Sequence, residues 1–333
     1  MVEGAQQSRT NLQSVLVYYD GRHTPQLGVW PTHVMPTKKL PRKLYKYRSF
    51  GVKSLRLLSK AEIHYAKPRS FNDPLDCDPT VQVDTDRASI ERLCFRMLAA
   101  AHGKERALKE MENHRYMSTE YGDYKTDPKV EKYYMRRLGS EIKQLVDAEM
   151  DSRGVLSLAE RWDCPLMWSH YADEHRGLCI EYDTNDNGCI HIKPVDYRRP
   201  RSIKITELME WKLNKSAEAE QNILGTYFFA KSPQWRYEKE WRDIHPSNGV
   251  KQAPFRISGV YFGLRCDAAV RTSIVKLFAN SNSSIAFYDL YPLEDSFRLK
   301  RRSANTDEIE ACGVETSVLL DFKDVVLNES EDT

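Results

Sequence analysis

Residues 232–246, SPQWRYEKEWRDIHP, decide how the rest of the chain is read. Glu238, Glu240 and Arg242 stand at every second position, bracketed by Trp235 and Trp241. Alternate residues of a strand share a face and each step rises about 3.3 Å, so EKEWRDIH read as a strand sets both glutamates on one side. Their Cα atoms then lie roughly 7 Å apart, with Arg242 next in the row. Two carboxylates so placed repel each other unless a nearby cation or a polar ligand uses them. A solvated edge strand that carries charge against aggregation accounts for the same pattern. Trp235, Tyr237 and Trp241 suit the wall of a ligand cleft beside the acids, and they equally suit a core.

Upstream, KLYKYRSF (43–50) alternates like a strand, GVKSLRLLS (51–59) reads as a short helix with Leu55 and Leu58 inward, and AEIHYAKP (61–68) reads as a second strand closed by Pro68. RSFNDPLDCDP (69–79) has the Asn, Asp and Pro content of an irregular loop. The period then changes to 3.6: Ile90, Leu93, Cys94, Met97, Leu98 and Ala101 share one helical face, and Val130, Tyr134, Leu138, Ile142, Leu145 and Glu149 trace another. A helical insertion is expected over about 86–152. Strands return in GVLSLAER (154–161), GLCIEYDT (177–184) and CIHIKPVDYR (189–198), followed by a helix over ITELMEWKLNKSAEAEQNIL (205–224). Beyond the opening stretch, RISGVYFG (256–263) is a strand, Ala269 to Phe278 a helix, and SIAFYDLYP (284–292) and FRLKRRS (297–303) close the pattern as strands. Strands scattered among helices without strict alternation predict an α+β fold with a mixed, mostly antiparallel central sheet. Residues 1–40, rich in Gln, Thr and Pro with one strand-like run SVLVYY, are read as an appendage or linker. A single domain is expected over 41–303 and a C-terminal extension over 304–333.

At 333 residues the chain is long enough for a sizeable core. A formal net charge of +2 gives no mandate for a polyanionic partner. The seven cysteines, at 77, 94, 164, 179, 189, 266 and 312, are odd in number and contain no Cys-x-x-Cys pair, so a reducing cytoplasm is the expected compartment. The opening residues read as neither signal peptide nor anchor, and no segment approaches 18 apolar residues.

Two further clusters bear on chemistry. In FNDPLDCDP, Asp73, Asp76 and Asp78 near Asn72 are oxygen ligands on a loop, but the Gly and terminal Glu of an EF-hand loop are missing. The competing use of such a run is a rigid turn in which Asn or Asp bonds the backbone and Pro fixes φ. In WDCPLMWSHYADEHRGLCIEYD (162–183), Cys164, His170, His175 and Cys179 match no standard zinc spacing, and a short helix bearing Trp168 and Tyr171, turned by Gly177 into a strand, is the simpler expectation. Arg48 and Ser70 close the first two strand units, where polar groups often line sites. The basic runs at 198–201 and 300–302 read as solvated faces.

YKYRSF, HYAKPRSFNDPLD, PLMWSHYADEHRGLCIEYD and KSPQWRYEKEWR together resemble, in order and wording, the bacterial domain of unknown function 2971 family, over roughly residues 44–265. A second similarity is to the site pattern of Arg-Ser-Glu type ADP-ribosyltransferases, matched in order by Arg48, Ser70 and the pair Glu238 and Glu240. That resemblance implies an ADP-ribosyltransferase-like fold that consumes nicotinamide adenine dinucleotide (NAD) as substrate, without a resident metal. It implies that Arg48 holds the phosphates, Ser70 braces the nicotinamide pocket, Glu240 bonds the nicotinamide ribose and Glu238 orients the acceptor. Departures from the pattern are PRSFNDP in place of a Ser-Thr-Ser run, and the helical insertion with WSHYADEH before the glutamates.

The expected cleft has Glu240 and Glu238 as catalytic residues. Arg48, Ser70, Asn72, Asp73, Trp168, His170, Tyr171 and Arg242 line it around a nucleotide or dinucleotide. The expected activity is transfer of ADP-ribose from NAD, to a protein or nucleic-acid acceptor, or NAD hydrolysis, as in a toxin-like or antiviral effector. Two rivals stand beside it. One is a metal-dependent phosphodiesterase or nuclease using Asp73, Asp76, Glu238, Glu240 and Lys239. The other is a non-enzymatic binding module in which Glu238 and Arg242 are a structural ion pair.

Overall fold

Alternating and fully apolar stretches become strands, and the elements follow in chain order in a computed structural model that describes residues 38–185, 191–279 and 285–311. The first part contains β1 (Lys43–Arg48), α1 (Val52–Lys60), β2 (Glu62–Tyr65) and β3 (Thr80–Gln82). Three long helices follow: α2 (Arg87–His102), α3 (Lys104–Thr119) and α4 (Pro128–Met150). The middle holds β4 (Gly154–Ala159), α5 (Pro165–Tyr171), β5 (Leu178–Asp183), β6 (Lys193–Pro194), β7 (Ser202–Lys204), α6 (Ile205–Lys212) and α7 (Ala217–Phe229). The last part holds β8 (Glu240–His245), β9 (Gly249–Gln252), β10 (Arg256–Phe262), α8 (Ala268–Ala279), β11 (Ala286–Pro292), β12 (Leu299–Ser303) and α9 (Thr306–Ala311).

Among the described residues the main sheet has eight strands in the order β12-β11-β10-β5-β1-β4-β8-β6. Every neighbouring pair is antiparallel except β10 with β11. The fold is α+β with a mostly antiparallel central sheet. One face carries Leu156, Leu158, Ile180, Trp241 and Phe262 against Leu57 and Leu58 of α1 and Ile274 and Val275 of α8. The other carries Tyr45, Tyr47, Cys179 and Tyr261 against Met167 and Trp168 of α5. β5 is buried on both faces from Leu178 to Tyr182, the burial of a central strand.

The junction of β1 with β4 positions the site. The two strands pair at Tyr45↔Ala159, whereas Val155, further back on β4, pairs with Ala66. Between these points the strands part, leaving a window edged by Lys46, Tyr47 and Arg48 on one side and by Ser157 and Leu158 on the other. The helices α2 to α4 brace the loop that follows β2: Lys143 of α4 bonds both Asp78 of that loop and Asp147, which in turn accepts from Tyr227 of α7. Asp86 and Asp127 cap α2 and α4 by accepting from the amides of Ser89 and Lys129.

Several expectations need correction. β8 begins at Glu240, not at Glu238. Pro233 starts a 3₁₀ helix that runs to Glu238, and Lys239 then takes a left-handed conformation at φ 45°, which turns the chain into the strand. The second strand lies outside the main sheet, because β2 pairs with β9. Ser70 closes a 3₁₀ turn, Pro68–Ser70, rather than a strand. The helix expected over 205–224 is two helices, since Lys215 is left-handed at φ 60° and Ser216 caps α7. In α1 it is Leu57 and Leu58 that are buried, with Leu55 half-exposed, and the buried stripe of α4 ends on Val146 and Met150 rather than Leu145 and Glu149. Ala101 is exposed. CIHIKPVDYR contributes only Lys193–Pro194 as strand, its first two residues lying outside the described residues. SVLVYY, most of the expected appendage and residues 312–333 also lie outside them. Among the described residues no helix is long and apolar enough to cross a membrane.

Candidate functional site

The loop after β2 folds through its own Asp side chains. Asp73 Oδ1 accepts from the Leu75 amide and its Oδ2 accepts from the Trp235 indole, so the Asn-Asp-Pro run is a rigid turn fastened to the 3₁₀ helix that precedes β8. This turn delivers Asp76 into the interior opposite β8. Arg242, fully buried on β8, meets it in a fork: Nη1 donates to Asp76 Oδ1 at 2.9 Å and Nη2 to Asp76 Oδ2 at 2.6 Å. Nε donates to Glu240 Oε1 at 2.8 Å, Nη2 also to Glu240 Oε2 at 2.9 Å, and Nη1 also to the Phe228 carbonyl at 2.7 Å. All five guanidinium N–H groups are thereby engaged.

Lys231, directly beyond α7, completes this network by donating to Glu240 at 2.8 Å and to Glu238, with Asp76 at 3.4 Å. Burial would push the Lys231 ammonium down, but Glu240, Asp76 and Glu238 outweigh it and hold its proton well above the usual lysine range. Burial would likewise push Glu240 up, yet Arg242 and Lys231 hold it well below the usual carboxylate range. Glu238 behaves oppositely. Burial raises it and Glu240 adds to the rise, against the pull of Lys231 and a 2.8 Å bond from the Tyr171 hydroxyl. Arg242 and Lys231 thus favour the ionised form of Glu240, whereas burial favours the protonated form of Glu238.

Above this floor opens a cleft of about 430 Å³, a volume typical of small-molecule sites. Arg48, Ser70, Asn72, His170, Tyr171, Glu238, Glu240 and Arg242 all line it. Four segments far apart in sequence thus supply the expected residues, and the two glutamates are brought together by Lys231 rather than by a shared strand face. Asn72 Nδ2 donates to the Tyr171 hydroxyl at 3.3 Å, and Ser70 Oγ donates to the Lys67 carbonyl at 2.7 Å, leaving its lone pairs toward other donors.

Two expected residues stand elsewhere. Trp168 is fully buried, edge-on to Tyr47, its indole donating to the Trp162 carbonyl at 2.7 Å, because α5 turns this face into the core. Asp73 is engaged by Leu75 and Trp235 and does not line the cleft. Arg242 does line it, but its saturated donors leave none for a cofactor. The zinc reading meets a core: Cys164 and Cys179 are buried among aromatic and apolar side chains, and burial pushes the Cys179 thiol well up. Of the carboxylates in the metal-dependent reading, Asp76, Glu238 and Glu240 are bound to Arg242 or Lys231 and Asp73 to Leu75 and Trp235, while Lys239 lies on an exposed left-handed turn.

Arg48 differs from Lys231 and Arg242, the paired cations of the cleft. Among the described residues it makes no ion pair, and its buried Nε has no hydrogen-bond partner. Burial pushes it down, with the Tyr182 phenol opposing. Its backbone is held from behind by WSHYADEHRG. Asp173, Glu174 and His175 are consecutively left-handed, at φ 48°, 51° and 70°, a conformation costing about 1–2 kcal/mol per residue. This turn sets Gly177 so close that an added Cβ would lie 2.2 Å from the Arg48 carbonyl oxygen. Lys46, two positions earlier on the strand, Lys231, Phe71, Met167 and Ser157 also line the cleft without having been singled out from the sequence. The signal for Lys46 was its alternation with Arg48 in YKYRSF, and that for Lys231 its place at the head of KSPQWRYEKEWR.

Fold and site together define an α+β protein with a charged cleft of about 430 Å³ where two neighbouring strands of its main sheet part. Residues 167–242 match the family described as Protein of unknown function (DUF2971), from α5 to the floor arginine on β8. The match includes Tyr171, Lys231, Glu238, Glu240 and Arg242, and YKYRSF and HYAKPRSFNDPLD lie outside it. No curated protein and no solved structure matches the chain.

Proposed function

We propose that the protein binds NAD in this cleft and breaks its nicotinamide N-glycosidic bond, passing ADP-ribose to an acceptor or to water. The observation that carries this reading is the presence, in one hollow of about 430 Å³, of Arg48, which makes no ion pair among the described residues and whose buried Nε has no hydrogen-bond partner, and of Glu238, a carboxylate that burial raises. An unpaired buried guanidinium is costly unless an anion reaches it, and a pyrophosphate offers the bidentate geometry it prefers. Cleavage builds positive charge on the ribose, and a fixed carboxylate in a water-poor site lowers that barrier. Glu238 takes this role, because the bound nicotinamide cation favours its ionised form. Glu240 keeps Lys231 and Arg242 in place instead of meeting the ribose itself. Ser70 and Asn72 stand at the same lip, beside Tyr171 and His170, as the polar wall for the carboxamide. NAD depletion of this kind is the chemistry of a toxin-like or antiviral effector, and the finer description of the fold as ADP-ribosyltransferase-like depends on this activity.

Nicotinamide release from NAD tests the reading. The wild type should release it with EDTA present, and Glu238→Gln should lose roughly 100-fold or more. No release by the wild type, or an undiminished rate in Glu238→Gln, contradicts it. A second reading is favoured by the sealed Asp76–Arg242–Glu240–Lys231 floor, which is built as a rigid platform: the cleft binds a nucleotide as a signal and does not consume it. Recovery of intact NAD from a stable complex would support that alternative.

A further inference from the structure

We propose that Lys46 is the base that removes the proton from a hydroxyl or water acceptor as it attacks the ribose, so that the acceptor is an O–H group. The proposal rests on the NAD-cleaving reading above. Lys46 lines the cleft on the strand that carries Arg48, and its Nζ reaches across the window between β1 and β4 to the Ser157 carbonyl at 2.5 Å. Among the described residues it makes no ion pair with a carboxylate. A neutral amine that donates one N–H to Ser157 keeps its lone pair free to accept a proton.

The surroundings decide when that amine is neutral. Burial and the neighbouring Arg48 push Lys46 down to about 7, against the opposing pull of Glu240 and Glu238, while Lys231 adds to the lowering. Asp76, Tyr45, Tyr47, His170, Tyr171 and Arg242 complete the charged and titratable lining of the same hollow. The contrast with Lys231 is direct. Three carboxylates hold the Lys231 proton, whereas one carbonyl holds Lys46. An amine near neutrality is suited to general-base work at ordinary pH.

In the step, the acceptor oxygen forms a bond to the anomeric carbon and the bond from that carbon to the nicotinamide nitrogen breaks. The electron pair goes to the ring nitrogen, which becomes neutral, and the acceptor proton goes to Lys46 Nζ. A carboxylate acceptor needs no base, and a guanidinium holds its proton far beyond the reach of such an amine. The site therefore favours water, serine-like hydroxyls or a nucleic-acid hydroxyl.

The test is nicotinamide release from NAD between about pH 5 and pH 9 by the wild type, Lys46→Met, Lys46→Arg, and Lys46→Ala with added ethylamine, with folding followed by near-ultraviolet circular dichroism. The wild-type rate should rise through about pH 7. Lys46→Met and Lys46→Arg should lose roughly 100-fold and this rising limb, and ethylamine should restore Lys46→Ala in proportion to its unprotonated fraction. A wild-type rate and profile in Lys46→Met would overturn the lysine role and leave NAD cleavage standing. So would a loss that keeps the wild-type profile and resists ethylamine, which marks packing alone. No release by the wild type would overturn both.

Discussion

The floor of the cleft and its β1 wall use the same chemical groups in opposite ways. On the floor, Arg242 and Lys231 are each bound to two or three carboxylates, and every donor of the guanidinium is engaged. On the wall, Arg48 and Lys46 have no carboxylate partner among the described residues, and burial lowers both. The difference separates architecture from chemistry: a paired charge holds the protein's own segments in place, and an unpaired one in a hollow is available to a ligand. Charge count alone would have ranked the floor as the site.

Breaking the floor should have the largest effect. Arg242→Leu leaves Asp76 and Glu240 buried with only Lys231 as a shared cation and should cost about 3–5 kcal/mol in urea unfolding. A smaller loss would mean that the network is less closed than its geometry. Gly177→Ala should come next, at roughly 1–3 kcal/mol, because its Cβ meets the Arg48 carbonyl and displaces the wall without touching any charge. Arg48→Met should leave stability unchanged or raise it by about 1 kcal/mol, since an unpaired buried cation is removed. A marked loss would reveal a structural partner for Arg48 and erase the contrast.

The smallest effect is in pH dependence, and the glutamates should differ in sign. Glu240 is depressed in the folded state, so its contribution is present above the ordinary value of 4.5 and is lost as pH falls below it. Glu238 is raised, so the fold favours its neutral form and stability declines as pH climbs past 4.5 toward the raised value. Glu240→Gln should therefore be most harmful near neutral pH. Glu238→Gln should compare best with the wild type there, as read from unfolding midpoints across the acid range.

Much of the fold was legible because its signals are periodic. The alternation of KLYKYR, the two-sided apolar run of β5 and the 3.6-residue stripes of α2 and α4 each specify an element, and the stripes give most of the buried face, drifting only at the last turns, at Ala101, Leu145 and Glu149. What was not legible depends on single backbone conformations. The left-handed turn at Lys239 takes Glu238 out of the strand, and Lys215 with Ser216 divides one helical pattern in two. Sequence spacing also carries no record of pairing across distance. Arg48, Ser70, Glu238 and Glu240 were each visible, but Asp76 lies 166 positions from the arginine it neutralises, and that contact is what makes Arg242 part of the floor. Trp168 was assigned to the cleft by its neighbours in WSHYADEH, although the helix turns it the other way.

The most direct measurement is calorimetric titration of NAD into the wild type and into Arg48→Met, with unfolding midpoints taken alongside. A charge-assisted contact to phosphate is worth about 1.5–3 kcal/mol, so Arg48→Met should weaken binding by roughly tenfold to a hundredfold while the midpoint stays put or rises. Equal affinity in the two proteins, or no heat of binding in the wild type, would contradict the account.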